Sequence, residues 1–306
     1  MIDFKDIMLS DREEITNITM ASPRRNCDLS FSNLCSWRFL YNTQYAVKNG
    51  FLFFKFWAFG GLAYMMPVGK GNLKKAIIEL IRDAESEGEP FRMLGVCQNM
   101  RNDLEEILPN KFAFVTSNDY ADYLYLREDL ANLAGKKFQS KRNHTNKFKR
   151  LYPNYEYAPI TPENIEECLR LEEEWCRVNN CNEFEGTGNE RRALTYALNN
   201  FEAIGLSGGL LRVDGQIVAF SFGMPINEDT FGVHVEKADT SIEGAYAMIN
   251  QEFAKHVPEQ YTYLNREEDL GIPGLRKAKQ SYNPVILLKK SVVTLIKEGP
   301  IDPITW

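Results

Sequence analysis

Two dipeptides, Asn49-Gly50 and Asp214-Gly215, constrain the fold of this chain more than any other feature. Each lies between two strand-like runs, 44–48 and 51–57 in the first half, 209–213 and 216–222 in the second. Such pairs supply the two positive φ angles that a tight hairpin turn demands. The elements after each hairpin also share one order. In the first half a strand (62–67) leads through Gly69-Lys70-Gly71-Asn72 into an amphipathic helix (73–87). A strand (91–96), a helix (101–108) and strands at 112–116 and 120–126 complete it. In the second half a strand (230–236) leads through 239–243 into a helix (245–256), then a strand (261–264), a helix (275–281) and a strand (285–288). Two helices precede each hairpin. The first pair is opened by Ser10 with Glu13 three residues on, a capping-box spacing, and the second by Thr161 and Pro162. This order predicts an α/β fold with a mixed α+β sheet, built as two tandem domains of similar architecture, 1–134 and 135–306.

With 44% hydrophobic and 12% aromatic residues, the chain can build substantial cores. Its net charge of −6 gives no global attraction to nucleic acid or anionic membranes, so an anionic partner needs a local basic patch. One candidate patch runs from 136 to 150, with seven cations and no carboxylate. Its alternative is a solvated linking helix. No basic-then-apolar leader opens the chain. The apolar run 51–68 is interrupted by Lys55, Gly60-Gly61 and Pro67. Neither a secretory signal nor a transmembrane segment is therefore expected, and a cytoplasmic setting is. Six cysteines form no CxxC pair and no zinc spacing, and the three histidines lie far apart. Reduced, buried thiols and no metal are expected.

The most chemically loaded segment is Asn265-Arg266-Glu267-Glu268-Asp269-Leu270-Gly271, followed by Arg276 and Lys279. It joins a strand to a helix that starts near Pro273, a location where α/β proteins place their chemistry. Glu267, Glu268 and Asp269 could bind the α-amino group of an aminoacyl moiety, whereas Arg266, Arg276 and Lys279 could bind phosphate or carboxylate. A plain salt-bridge network is the alternative.

The element order resembles the GCN5-related N-acetyltransferase fold. Three segments resemble one branch of it more closely. They are Gly135-Lys136-Lys137-Phe138-Gln139-Ser140-Lys141-Arg142-Asn143-His144, the stretch 231–251 with His234-Val235-Glu236 and Gly244-Ala245-Tyr246, and the charged segment with Tyr282. Together they resemble the DUF2156 family, related to the C-terminal domain of phosphatidylglycerol lysyltransferases, over most of residues 135–290. The resemblance implies an aminoacyl- or acyltransferase working in the second domain. No cofactor is expected to be tightly bound. The implied donor is aminoacyl-tRNA or acyl-coenzyme A, and the implied acceptor an amine, a hydroxyl or a lipid. His234, Glu236 and Tyr282 then become catalytic candidates, with Arg142 and Asn143 facing substrate. Gly244 and Ala245 mark the helix start that would hold the carrier's phosphates, and Gly69 and Gly71 mark the equivalent loop in the first half. Of the usual glycine pattern at that helix start, this chain keeps Gly244. The competing expectation is a non-catalytic module that binds an anionic metabolite, a peptide or RNA.

Overall fold

The computed structural model describes residues 2–178 and 185–296. Cys181 and the last ten residues of the expected second domain lie outside that range. Helices α1 (Arg12–Met20), α2 (Phe31–Ser36) and α3 (Arg38–Tyr41) follow the short strand β1 (Lys5–Asp6) and precede β2 (Gln44–Lys48), β3 (Phe51–Ala58), β4 (Gly61–Tyr64) and β5 (Val68–Gly69). Then come α4 (Leu73–Ser86), β6 (Arg92–Val96), α5 (Gln98–Ile107), β7 (Phe112–Leu126) and α6 (Arg127–Asn132). The second half contains α7 (Gln139–Leu151), β8 (Glu156–Pro159), α8 (Ile165–Val178), α9 (Glu185–Asn199), α10 (Phe201–Ile204), β9 (Ser207–Val213), β10 (Gln216–Pro225) and β11 (Thr230–Ala238). It ends with α11 (Ala245–His256), β12 (Tyr263–Asn265), α12 (Pro273–Gln280) and β13 (Ile286–Leu295).

Both diagnostic turns form as their chemistry requires. Asn49 and Gly50 have φ of 51° and 81°, and Asp214 and Gly215 have φ of 49° and 79°. The expected strands at 112–116 and 120–126 are one 15-residue strand, β7. The second of the two helices expected before the first hairpin is divided at Trp37 into α2 and α3.

All strands join one mixed α/β sheet, ordered β1-β2-β3-β4-β6-β13-β7-β12-β11-β10-β9-β8 with β5 on β3. The order runs straight across the 134/135 division. The last strand, β13, lies antiparallel between β6 and β7, so a segment of the second half is built into the sheet of the first. Two adjacent pairs are parallel and brief. β4 meets β6 only at Tyr64↔Met93, and β11 meets β12 from Thr230↔Tyr263 to Gly232↔Asn265. Beyond those points the pairing stops, and in the first half a cleft follows. Among the described residues no helix is long and apolar enough to cross a membrane. Cys27, Cys35, Cys97 and Cys168 are free and buried, while Cys176 is disulfide-bonded, which corrects the expectation of reduced thiols throughout.

Candidate functional site

The site begins with the turn after β12. Asn265 is fully buried; its amide nitrogen donates to the Arg25 carbonyl (2.7 Å) and to Asp122 (2.9 Å), and its Oδ1 accepts the Glu267 N–H at 2.8 Å. Glu267 and Leu270 take φ of 59° and 52°, a region that non-glycine residues rarely occupy. Strain of this kind persists only where the surroundings hold it. Here the Lys279 ammonium donates to the carbonyls of Arg266 and Glu268. Arg276 binds Asp269 (2.7 Å) and Asp119 (2.5 Å), and the Tyr123 hydroxyl donates to Asp269 at 2.6 Å. Asp269, Arg276 and Lys279 thus satisfy one another and their own backbone. Buried carbonyls and a buried carboxylate here take the nearest cations. Burial alone would lift the Asp269 carboxyl, yet Arg276 and Tyr123 hold it down at about 2.

Two adjacent carboxylates leave this turn in different company. Glu267 accepts from the His234 Nδ1–H at 2.8 Å and from the Asn33 amide at 2.8 Å, and the Ser30 hydroxyl lies 2.7 Å from His234 Nε2. His234 owes its aim to a β-bulge. The β10–β11 register passes from Phe222↔Val235 to Gly223↔Val233, leaving His234 as the extra residue. Glu268 instead meets Lys290, whose ammonium also contacts Asp122 at 2.7 Å and Asp28 at 3.1 Å. Burial would raise the Glu267 carboxyl, but His234 and Asn33 hold it below its ordinary value. Burial raises the Glu268 carboxyl; Lys290 pulls it back, and nearby Asp122 and Glu267 push it up again, leaving it above its ordinary value. Neighbouring acids driven apart in this way suit opposite roles in proton transfer. Cys27, Asp122 and Glu268 come close enough to hold a cation, and the Lys290 ammonium already supplies one among them, 3.8 Å from the Cys27 sulfur. Burial, with Asp122 and Glu268 adding, pushes the Cys27 thiol well up, so it is no nucleophile.

Glu267 and Glu268 face a cavity of about 280 Å³ between the two halves. Cys27, Asp28, Asn33 and Leu34 form one side, and Lys290 and Ser291 of β13 lie across from them. Trp37, Tyr41, Phe56, Phe59 and Tyr120 give it aromatic walls. Met65, Leu94 and Gly95, just past the β4–β6 pairing, also line it, so the first-half cleft opens into this space. Past the β11–β12 pairing in the second half, side chains link the two segments, His234 to Glu267 and Glu236 to Arg266 at 2.9 Å.

The remaining sequence candidates lie elsewhere. Arg266, Glu236 and Tyr282 form their own cluster, with the Arg266 guanidinium 4.9 Å from the Tyr282 ring, Asn250 donating to Glu236 at 3.0 Å, and Lys141 3.9 Å from Tyr282. Arg142 donates to the carbonyls of Leu133 and Gly135, and Asn143 is exposed. Gly244 starts α11 with φ 85°, but α7 lies over it: an added Cβ would stand 2.7 Å from the His144 carbonyl oxygen. Ala245 beside it is buried. Gly69 and Gly71 pack on the Asn49-Gly50 turn, where Lys70 N–H donates to the Gly50 carbonyl at 3.0 Å. Helix α7 thus crowds Gly244, whereas Gly69 and Gly71 remain exposed. Sequence reasoning passed over Asp28, Asp122 and Lys290. Lys290 carried a signal, a cation inside the apolar run 286–295, whereas Asp28 and Asp122 carried none.

The family model described as phosphatidylglycerol lysyltransferase, C-terminal, matches residues 19–294. A crystal structure of a conserved protein of unknown function from Bacteroides thetaiotaomicron is 68% identical, with a TM-score of 0.95, covering 97% of this chain and 100% of that one. The C-terminal DUF2156 domain of a putative lysylphosphatidylglycerol synthetase from Agrobacterium fabrum is 13% identical with a TM-score of 0.68, covering 93% and 91%. L-PGS from Bacillus licheniformis is 16% identical with a TM-score of 0.65, covering 95% and 92%. At these identities the last two establish a shared fold.

Proposed function

The chain belongs to the phosphatidylglycerol lysyltransferase C-terminal family, and from that premise we propose that it transfers an activated aminoacyl or acyl group within the cavity between its halves. The observation that carries this reading is the Glu267–Glu268 pair on the cavity wall, one carboxyl held low by His234 and the other raised. An acceptor amine or hydroxyl attacks the donor's acyl carbon. The new N–C or O–C bond forms, the carrier's ester or thioester bond breaks, and Glu268 takes the acceptor's proton and returns it to the departing carrier. A carboxylate that holds its proton more tightly than usual is the better base for that step. The Lys290 ammonium stabilises the ionised form of Glu268 between proton transfers.

The carrier is aminoacyl-tRNA in preference to acyl-coenzyme A, because of the glycine pattern usual at a pyrophosphate-binding helix start this chain keeps only Gly244, and Glu243 adds negative charge beside it. The test is a screen of charged tRNAs and acyl-coenzyme A against amine, hydroxyl and lipid acceptors, with Glu268→Gln beside the parent chain. Transfer that Glu268→Gln abolishes supports the reading; no transfer by folded protein with any pair counts against it.

The departure from the usual glycine pattern at 241–246 also favours a second reading, a non-catalytic module that holds an anionic metabolite, a peptide or RNA. A ligand that raises the melting temperature without turnover would select it. For RNA held by the basic helix α7, affinity would fall steeply with salt.

A further inference from the structure

Ser30 occupies the N-cap position of α2, where a serine hydroxyl ordinarily accepts a backbone N–H from the first turn. It makes no such bond. Its hydroxyl instead lies 2.7 Å from His234 Nε2, on a strand 204 residues further along the chain. Giving up a cap weakens the helix start, so the diverted hydroxyl serves the histidine at the helix's expense. The ring in turn donates through Nδ1 to Glu267, whose other partner is the Asn33 amide. Ser30 and the His234 side chain are almost wholly buried, at 1% and 4% exposure, and of the three groups Glu267 alone lines the cavity.

We propose that Ser30 and His234 are positioning residues that act through Glu267. The hydroxyl fixes the ring, and the ring aims the carboxylate at the cavity and keeps its charge there. The arrangement has the members of a serine–histidine–acid triad with the roles reversed. The acid is the working end and the serine the anchor. The same chain of bonds ties α2 to β11 and to the turn after β12, so the cavity wall is set only when the two halves are docked. The other charged groups around Glu267 are Lys279, which favours its ionised form, and Glu268. Beyond Glu268 stand Lys290, Asp122 and Asp28, and the test leaves all three in place.

This inference rests on the cavity being the working site, but its test needs no substrate. In protein labelled with ¹³C-glutamate, the titration of the Glu267 carboxyl is read by NMR in the parent chain, His234→Gln, Ser30→Ala and Ser30→Thr. Loss of the ring is expected to raise the Glu267 midpoint by about one pH unit or more, as removal of a close favourable partner does. Ser30→Ala should move it in the same direction by less, and Ser30→Thr, which keeps the hydroxyl, should restore it. A purely architectural tie predicts lowered melting temperatures with the midpoint unmoved, and that result would overturn the proposal. So would labelling of Ser30 by a small fluorophosphonate, which would make it a nucleophile. If the midpoint moves and no donor is ever transferred, the positioning stands and the transferase reading fails.

Discussion

Residue by residue, the buried charges carry the sharpest expectations. Lys290 neutralises Asp122, Asp28 and Glu268 from a side chain that is 5% exposed. Lys290→Met would leave those carboxylates in low dielectric without their cation, a loss of about 3–5 kcal/mol by the usual cost of breaking a buried pair. Urea denaturation checks it, and a loss under about 1 kcal/mol would mean that water reaches the group. A second case lies where α8 packs against β11. Glu172 on α8 is 2% exposed, 3.8 Å from Lys237, and its Oε2 has no hydrogen-bond partner. Burial raises its carboxyl from 4.5 to about 7, with Lys237 opposing the rise. Because the folded chain holds this proton more tightly than the unfolded one, the stability it contributes is complete below about 4.5 and is lost as pH rises through about 7. Glu172→Gln should therefore match the parent near pH 5 and exceed it at pH 8 by about 1–3 kcal/mol. Parallel stability curves for the two proteins would refute this. Among the site residues, His234 and Glu267 were legible because a histidine inside a strand and a carboxylate at a strand end are visible patterns. Asp122 was not, since an isolated aspartate in a strand looks the same whether it faces solvent or Lys290.

Across elements, local chemistry encoded the turns and helices well, and strand partnership poorly. The residue pairs that force positive φ at 49–50 and 214–215 specify their hairpins without help from the rest of the chain. Nothing local in 286–295 says that β13 will insert between β6 and β7, because that choice depends on an opening left elsewhere. Packing of α7 on the start of α11 was equally hidden. The basic run reads as a solvated or phosphate-binding helix, whereas Lys147 pairs with Glu243 at 2.5 Å and the His144 carbonyl closes over Gly244. Gly244→Ala tests that contact. A Cβ at φ 85° is strained before it meets the carbonyl, so a loss of about 1–3 kcal/mol is expected, read as a lower melting temperature. An unchanged melting temperature would show that α7 does not cover the helix start.

At the scale of the whole molecule, a sheet that runs through both halves and a cavity lined by both make them interdependent. Chemical unfolding should follow one cooperative transition by fluorescence and by far-UV circular dichroism, and ending the chain before Ile286 should abolish folding of the first half along with the second. Two separated transitions would mean that the halves stand alone. The proposed reaction lies at the junction, apart from the cluster in the second half where Tyr282 and Glu236 keep company with Arg266. The most direct measurement is the rate of transfer from a charged tRNA by the parent chain, Glu268→Gln and Tyr282→Phe. A working junction predicts a fall of about 100-fold or more for Glu268→Gln, the usual scale of a lost general base, with Tyr282→Phe close to the parent. A collapse in Tyr282→Phe with Glu268→Gln unaffected would contradict it and return the active centre to the second half.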